Sequence, residues 1–212
     1  MPNPTRAEAL FLMESWTASD SLRKHMLAVE AAVRAYAVRF GEDEERWGIT
    51  GLLHDFDYER FPNAEQAADA EHPAEGVRYL QSLGVDDDVC QAILGHAHYT
   101  GVPRTSRLAK TLFACDELTG LLTACALVKP SRSLADVEVP GVRKKLKDKA
   151  FARGVSRDDI VSGAAELGIA LDEHIAFVLS AMQEQAAALG LDGRLAVTSA
   201  GPHDSTPLTG GA

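Results

Sequence analysis

Residues 19–40, SDSLRKHMLAVEAAVRAYAVRF, place Leu22, His25, Met26, Val29, Val33, Tyr36, Ala37 and Phe40 at three- and four-residue steps, the period at which side chains share one face of an α-helix. Ser19 or Asp20 can cap its start, and Gly41 ends it. Helical patterns recur along the rest of the chain, whereas sustained period-two alternation and β-branched runs are absent. A chain patterned this way buries its apolar faces by packing helix on helix, so the expected class is all-α, a single-domain helical bundle with few or no strands.

The other expected helices follow from caps and breakers. One runs from about Asp43 to His54, and one lies in EHPAEGVRYLQSLG with Pro73 at its first position and Gly84 past its end. Another lies in VDDDVCQAILGHAH, which TGVP breaks, and the most apolar one covers 106–128. VRKKLKDKAFARG, SRDDIVSGAAELG with its Ser156/Asp159 cap, and LDEHIAFVLSAMQEQAAALG complete the set. With 212 residues and 46% hydrophobic content the chain can bury one sizeable core, expected over residues 5–190. Residues 191–212 are expected to be a disordered tail, because they end in TSAGPHDSTPLTGGA.

Composition also excludes some functions. No apolar run approaches the roughly 18 residues of a membrane span, and MPNPTRAEAL lacks the build of a signal peptide, so a cytoplasmic location without membrane contact is expected. Cys90, Cys115 and Cys125 sit in apolar helical patterns and read as buried, reduced thiols. A net charge of −10 argues against a broad nucleic-acid surface. An anionic substrate must then be met by a local basic group or a metal ion.

The stretch GLLHDFDYE sets His54 and Asp55 at the end of an apolar run. An ionised carboxylate turned inward without a partner is strongly disfavoured, so the pair faces water or lies beside a cation. His25, His72, His96 and Asp116 also fall on helix core faces or helix ends next to apolar residues. One such histidine is ordinarily a hydrogen-bonded core residue. Six such groups on five successive helices instead match the way bundles build metal sites, with imidazole nitrogen and carboxylate oxygen suited to Mn, Co, Ni, Zn, Mg or Fe.

The order His25, His54-Asp55, Asp116 resembles the HD superfamily of metal-dependent phosphohydrolases. The stretches KHMLAVEAAVR, GLLHDFDYE, EHPAEGVRYL, ILGHAHYTGVPR and CDELTGLLTACALVKPS resemble small bacterial HDIG-type members over about residues 5–185. The resemblance implies that His25, His54, Asp55 and Asp116 hold one divalent ion. His72 and His96 stand where two-metal members add ligands, with Asp55 as the bridge. TGVPR lacks the GYP tyrosine and spacing of the cyclic-di-GMP phosphodiesterases, so that substrate is not expected. The implied activity is hydrolysis of a phosphate mono- or diester, a nucleotide by default, by metal-activated water. Two other readings remain: a di-iron oxygenase built on the same ligands, and a non-catalytic ligand-binding or regulatory HD domain.

Several residues keep alternative roles at this level. Asp57 reads as a turn residue, as an acceptor orienting a ligand histidine, or as a catalytic proton acceptor beside Asp55. His72, just before a proline, can also cap a helix. His98 lies about 200° around a helix from His96, so both reach one ion only if the helix ends between them. Glu117 is expected to face solvent or a basic group. Lys144, in the basic run 143–149, is the candidate that meets the substrate phosphate, with a solvated helix face paired as Lys144–Asp148 as the alternative. Arg104, Arg107 and Lys110 compete for that role.

Overall fold

A computed structural model describes residues 3–194, and among these it forms ten α-helices, two 3-10 turns and no strand, with one isolated antiparallel bridge between Ser133 and Asp192. The helices are α1 (Arg6–Trp16), α2 (Asp20–Phe40), α3 (Glu44–Leu53), α4 (Ala74–Ser82) and α5 (Asp87–His96), then α6 (Arg107–Leu127), α7 (Val139–Lys147), α8 (Arg157–Glu166), α9 (Leu171–Glu184) and α10 (Ala186–Leu189). No helix of the described residues is long and apolar enough to cross a membrane. The all-α expectation holds.

The two 21-residue helices α2 and α6 pack against each other, and the others surround them. Helix α3 lies on α2 at close range because Gly51 has no side chain: a Cβ there would stand 3.0 Å from the Glu30 backbone. Helix α8 approaches α6 in the same way, since a Cβ on Gly163 would lie 2.6 Å from Ala114 Cα. Glu30 of α2 is buried, and it accepts from Arg6 Nε at 2.6 Å and Arg34 Nε at 2.9 Å. Gly48 leaves room for the Arg34 guanidinium, so this ion-pair cluster ties α1 and α3 to α2. The three cysteines are free and buried.

Differences from the sequence pattern have local causes. Helix α1 is an element that the apolar pattern of its short segment does not announce; its signal is the T-x-x-E capping box of Thr5 and Glu8. Helix α7 stops at Lys147, and AFARG forms turns. In these turns the Arg157 guanidinium donates to the carbonyls of Ala152 and Val155. The expected tail starts too early at 191. Leu191 is buried, and its carbonyl accepts from Leu134 N at 2.9 Å. The rest of that tail, 195–212, lies outside the described residues.

His174 is the core histidine that takes no part in the polar cluster. Its Nε2–H donates to the Ala114 carbonyl at 2.9 Å, so its Nδ1 accepts from the Tyr36 hydroxyl at 2.7 Å, and the ring is neutral. Burial holds its pKa below the ordinary value. The unfolded chain therefore binds a proton that the folded chain refuses, and the stability this residue contributes is full above about pH 6.5 and declines below it. Thermal melts across pH 5–8 should show that the stability gap between wild type and His174→Gln narrows on the acid side.

Candidate metal centre

Six side chains carried on or beside five helices converge, and five of them, all but the fully buried His54, line one cavity. His25 projects from the second turn of α2, His54 caps the end of α3 with Asp55 next to it, and His72 precedes α4. His96 ends α5, and Asp116 lies in mid-α6. They form two groups, His25–His54–Asp116 and Asp55–His72–His96, in each of which one ligand-type atom per residue lies within 4.8 Å of the others.

Asp55 stands between the groups. Its Oδ2 is 3.4 Å from His54 Nε2 and 3.7 Å from His25 Nε2. Its Oδ1 is 3.4 Å from both His72 Nε2 and His96 Nε2. On the far side, Asp116 Oδ1 lies 3.0 Å from His25 Nε2 and 3.5 Å from His54 Nε2.

Local structure explains why the imidazoles turn Nε2 inward. His54 Nδ1–H donates to the Gly51 carbonyl at 2.8 Å, and His96 Nδ1–H donates to the Ile93 carbonyl. Both helices end at these histidines, which frees carbonyls one turn back. His72 has no helix behind it, and its Nδ1–H donates to Asp57 Oδ1 at 2.7 Å. Asp57 Oδ2 accepts from Gly76 N at 2.7 Å, so one buried carboxylate caps the first turn of α4 and fixes the His72 ring. A Cβ on Gly76 would stand 2.6 Å from Asp57 Cγ, which is why glycine occupies that position.

The electrostatics follow from burial against opposite charge. Burial opposes a charge on His54, yet Asp55 and Asp116 outweigh it and raise its pKa well above the ordinary value. His96 is raised for the same reason, chiefly by Asp55 against burial. Burial also opposes ionisation of Asp55 and Asp116, and the surrounding imidazoles reverse this, holding both well below the usual carboxylate range. The carboxylates are thus ionised and demand positive charge. His54 Nε2 is fully buried and has no hydrogen-bond partner. A buried, unpartnered imidazole nitrogen facing two carboxylates is what a cation bound at this donor set would satisfy.

The cavity measures about 830 Å³. His98 lines it but is not in either group. The α5 helix ends at His96, the side chain of His98 is 54% exposed, and its Nε2 pairs with Asp159 at 2.8 Å. Lys144 does not reach the cavity. It is exposed on α7, whose buried Val142 faces α6 and α9, so the charges of the run point to solvent, and it is Lys145 that stands 3.8 Å from Asp148.

Arg104 is committed to Glu166 and the Gly95 carbonyl, and Arg107 to Glu42, so neither supplies the missing cation; Lys110 also stays outside the lining. Asp57 is not a cavity-facing proton acceptor, because it is buried behind His72 with both oxygens engaged. Nor does His72 cap α4: the N-cap residue is Pro73, with no side-chain cap bond.

Glu117 faces inward rather than to solvent, accepts from Ser156 N at 3.1 Å, and is pushed up to about 7 by burial and by Asp116. Tyr99 and Tyr58 are lining residues that the helical pattern does not single out. Tyr99 Oη donates to the His72 carbonyl at 3.0 Å, and the Tyr58 ring lies 5.0 Å from the His72 ring. Their only sequence signal is adjacency to the histidine motifs.

Residues 22–121 match the family model of the HD domain, and this segment carries all six residues. HD domains bind divalent metals, and the two groups here are candidate holders. Ribonuclease Y of Oleidesulfovibrio alaskensis is 26% identical over 145 residues, covering 68% of this chain and 24% of the relative. The chain therefore spans about a quarter of that protein's length. No solved structure gives a significant match.

Replacing Asp57 by Asn leaves a buried amide facing two donors, His72 Nδ1–H and Gly76 N–H. Stability should fall by about 1–3 kcal/mol, and divalent-metal affinity by roughly 10–100-fold. Thermal melts and metal titrations of Asp57→Asn test this; unchanged metal affinity would remove the orienting role.

Proposed function

We propose that the chain is a divalent-metal-dependent phosphohydrolase that cleaves a phosphate mono- or diester. The observation that carries this reading is the Asp55 carboxylate set between two His/Asp groups, one oxygen toward each, with an unpartnered His54 Nε2 beside it. His25, His54, Asp116 and Asp55 would hold one ion, and Asp55, His72 and His96 a second. Divalent ions at such donor sets act as Lewis acids toward phosphoryl oxygen and raise the acidity of water.

The chain's own groups supply the rest. The Gly51 and Ile93 carbonyls and Asp57 engage Nδ1 of three imidazoles and so turn each Nε2 toward Asp55, where it would serve as the ligand atom once an ion displaces its proton. Asp55 and Asp116 provide the negative charge that retains cations. No lysine or arginine lines the cavity among the described residues, so the phosphate charge is met at the metal centre itself. The relative's name, Ribonuclease Y, denotes cleavage of RNA. Phosphodiester hydrolysis is compatible with that chemistry, while the net charge of −10 disfavours an extended RNA surface on this chain.

The six-residue set equally suits two irons, which would support dioxygen-dependent oxidation instead. Metal analysis of protein purified without chelator, followed by phosphatase and phosphodiesterase assays with Mn, Co and Mg, tests the first reading. Oxygen consumption by iron-loaded protein tests the second. In Asp55→Asn, metal content and hydrolysis should fall together while the helical signal persists; full metal occupancy with unchanged activity would defeat the assignment of Asp55.

A further inference from the structure

We propose that an apolar pocket beside the metal centre receives the leaving group of the substrate, and that this group is compact and uncharged. The inference rests on the phosphohydrolase reading and names the substrate class for the same site. The pocket, about 260 Å³, lies between the start of α2, the end of α6 and the segment that follows α10. Thr123, Leu127, Leu189 and Leu191 form its apolar wall. His25 and Gly120 line both this pocket and the larger cavity, so the two adjoin at a ring that faces Asp116 and at a residue without a side chain. A Cβ on Gly120 would have one neighbour within 4 Å, Val155 Cγ2 at 3.7 Å, so space is left where the pocket and the cavity adjoin.

The wall is built rather than incidental. Leu189 and Leu191 are each 3% exposed, and Gly190 turns the chain between them at φ 69°. The Leu191 carbonyl is held by Leu134 N at 2.9 Å. An apolar cavity of roughly 150 Å³ accommodates benzene, so 260 Å³ suits one or two fused rings or a short branched alkyl group.

Charge points the same way. The larger cavity presents Asp55, Asp116, Glu117 and Asp159 and no lysine or arginine, and Lys24 at the apolar pocket is paired with Asp20 at 2.7 Å. A further phosphate or carboxylate on a substrate would find no lysine or arginine among the described residues of the larger cavity to pair with, which disfavours nucleoside polyphosphates. In the hydrolysis the water oxygen bonds to phosphorus and the bond from phosphorus to the alcohol oxygen breaks. The departing oxygen keeps the electron pair and takes a proton, leaving a neutral alcohol or phenol in the pocket.

The test compares 1-naphthyl phosphate with methyl phosphate on metal-loaded full chain, wild type against Thr123→Phe. Thr123 lines the apolar pocket and not the larger cavity. The expected result is a KM for the naphthyl ester raised about tenfold or more, with methyl phosphate turnover unchanged. Leu127→Trp, at a position 47% exposed and so tolerant of substitution, fills the pocket from its rim and serves if Thr123→Phe does not fold. In parallel, 1-naphthol binding is followed by NMR shifts, with saturable shifts expected in wild type and lost in the variants.

Equal effects on both esters, or none on either, would overturn the pocket while leaving the phosphohydrolase reading standing. If no phosphate ester is hydrolysed with any metal, that reading falls, and the naphthol shifts decide the pocket alone. Shifts abolished by Thr123→Phe retain it as the apolar subsite of the centre, and absent shifts overturn it.

Discussion

A carboxylate withdrawn from water must be matched by positive charge or give up its own, and at Asp55 this constraint governs the surrounding structure. Four imidazole Nε2 atoms lie within 3.7 Å of its two oxygens, two on each side. To bring them there the chain needs helix ends, not helix middles, for His54 and His96. Only at an end does a backbone carbonyl become free to hold Nδ1. His72 lacks such an end, and Asp57 takes the carbonyl's place. The glycine at position 76 and the glycines that let α3 and α8 close on α2 and α6 therefore serve the same centre, by setting how near its supporting elements come.

The cavity around this centre is acidic and aromatic, and its cations, apart from imidazoles, are elsewhere. Arg6 and Arg34 neutralise Glu30, and Arg104 neutralises Glu166. Arg157 is spent on the carbonyls of a turn. These guanidiniums are engaged in holding helices together, which leaves the cavity lined by carboxylates, imidazoles and tyrosines without a lysine or arginine among the described residues.

Much of the fold is legible in the chain because a helix is a local object. The period of Leu22, Met26, Val29 and Val33, the Ser19 cap and Gly41 define α2 without reference to anything distant. Helix α1 escapes that reading, since its evidence is the Thr5–Glu8 box rather than an apolar stripe. The end of α7 escapes it as well, because the turns that follow are held by the Arg157 guanidinium, a side-chain contact that no apolar period announces. For the site, the identities of His25, His54, Asp55, His72, His96 and Asp116 are readable as polar groups on apolar faces.

What the amino-acid sequence determined alone was thus the helices, their caps and the set of inward-facing polar residues, all functions of near neighbours. Only the tertiary structure decided that these residues divide into two groups with Asp55 between them. It also decided that Asp57 stands behind His72, that Glu117 faces inward, and that Lys144 points away from the cavity. Leu191, nominally the start of a tail, became the wall of a pocket beside His25. The physical reason is the same in each case. The placement of these residues is set by contacts 19 to 57 positions away along the chain, with Gly76 for Asp57, Ser156 for Glu117 and Leu134 for Leu191. No local period encodes those contacts.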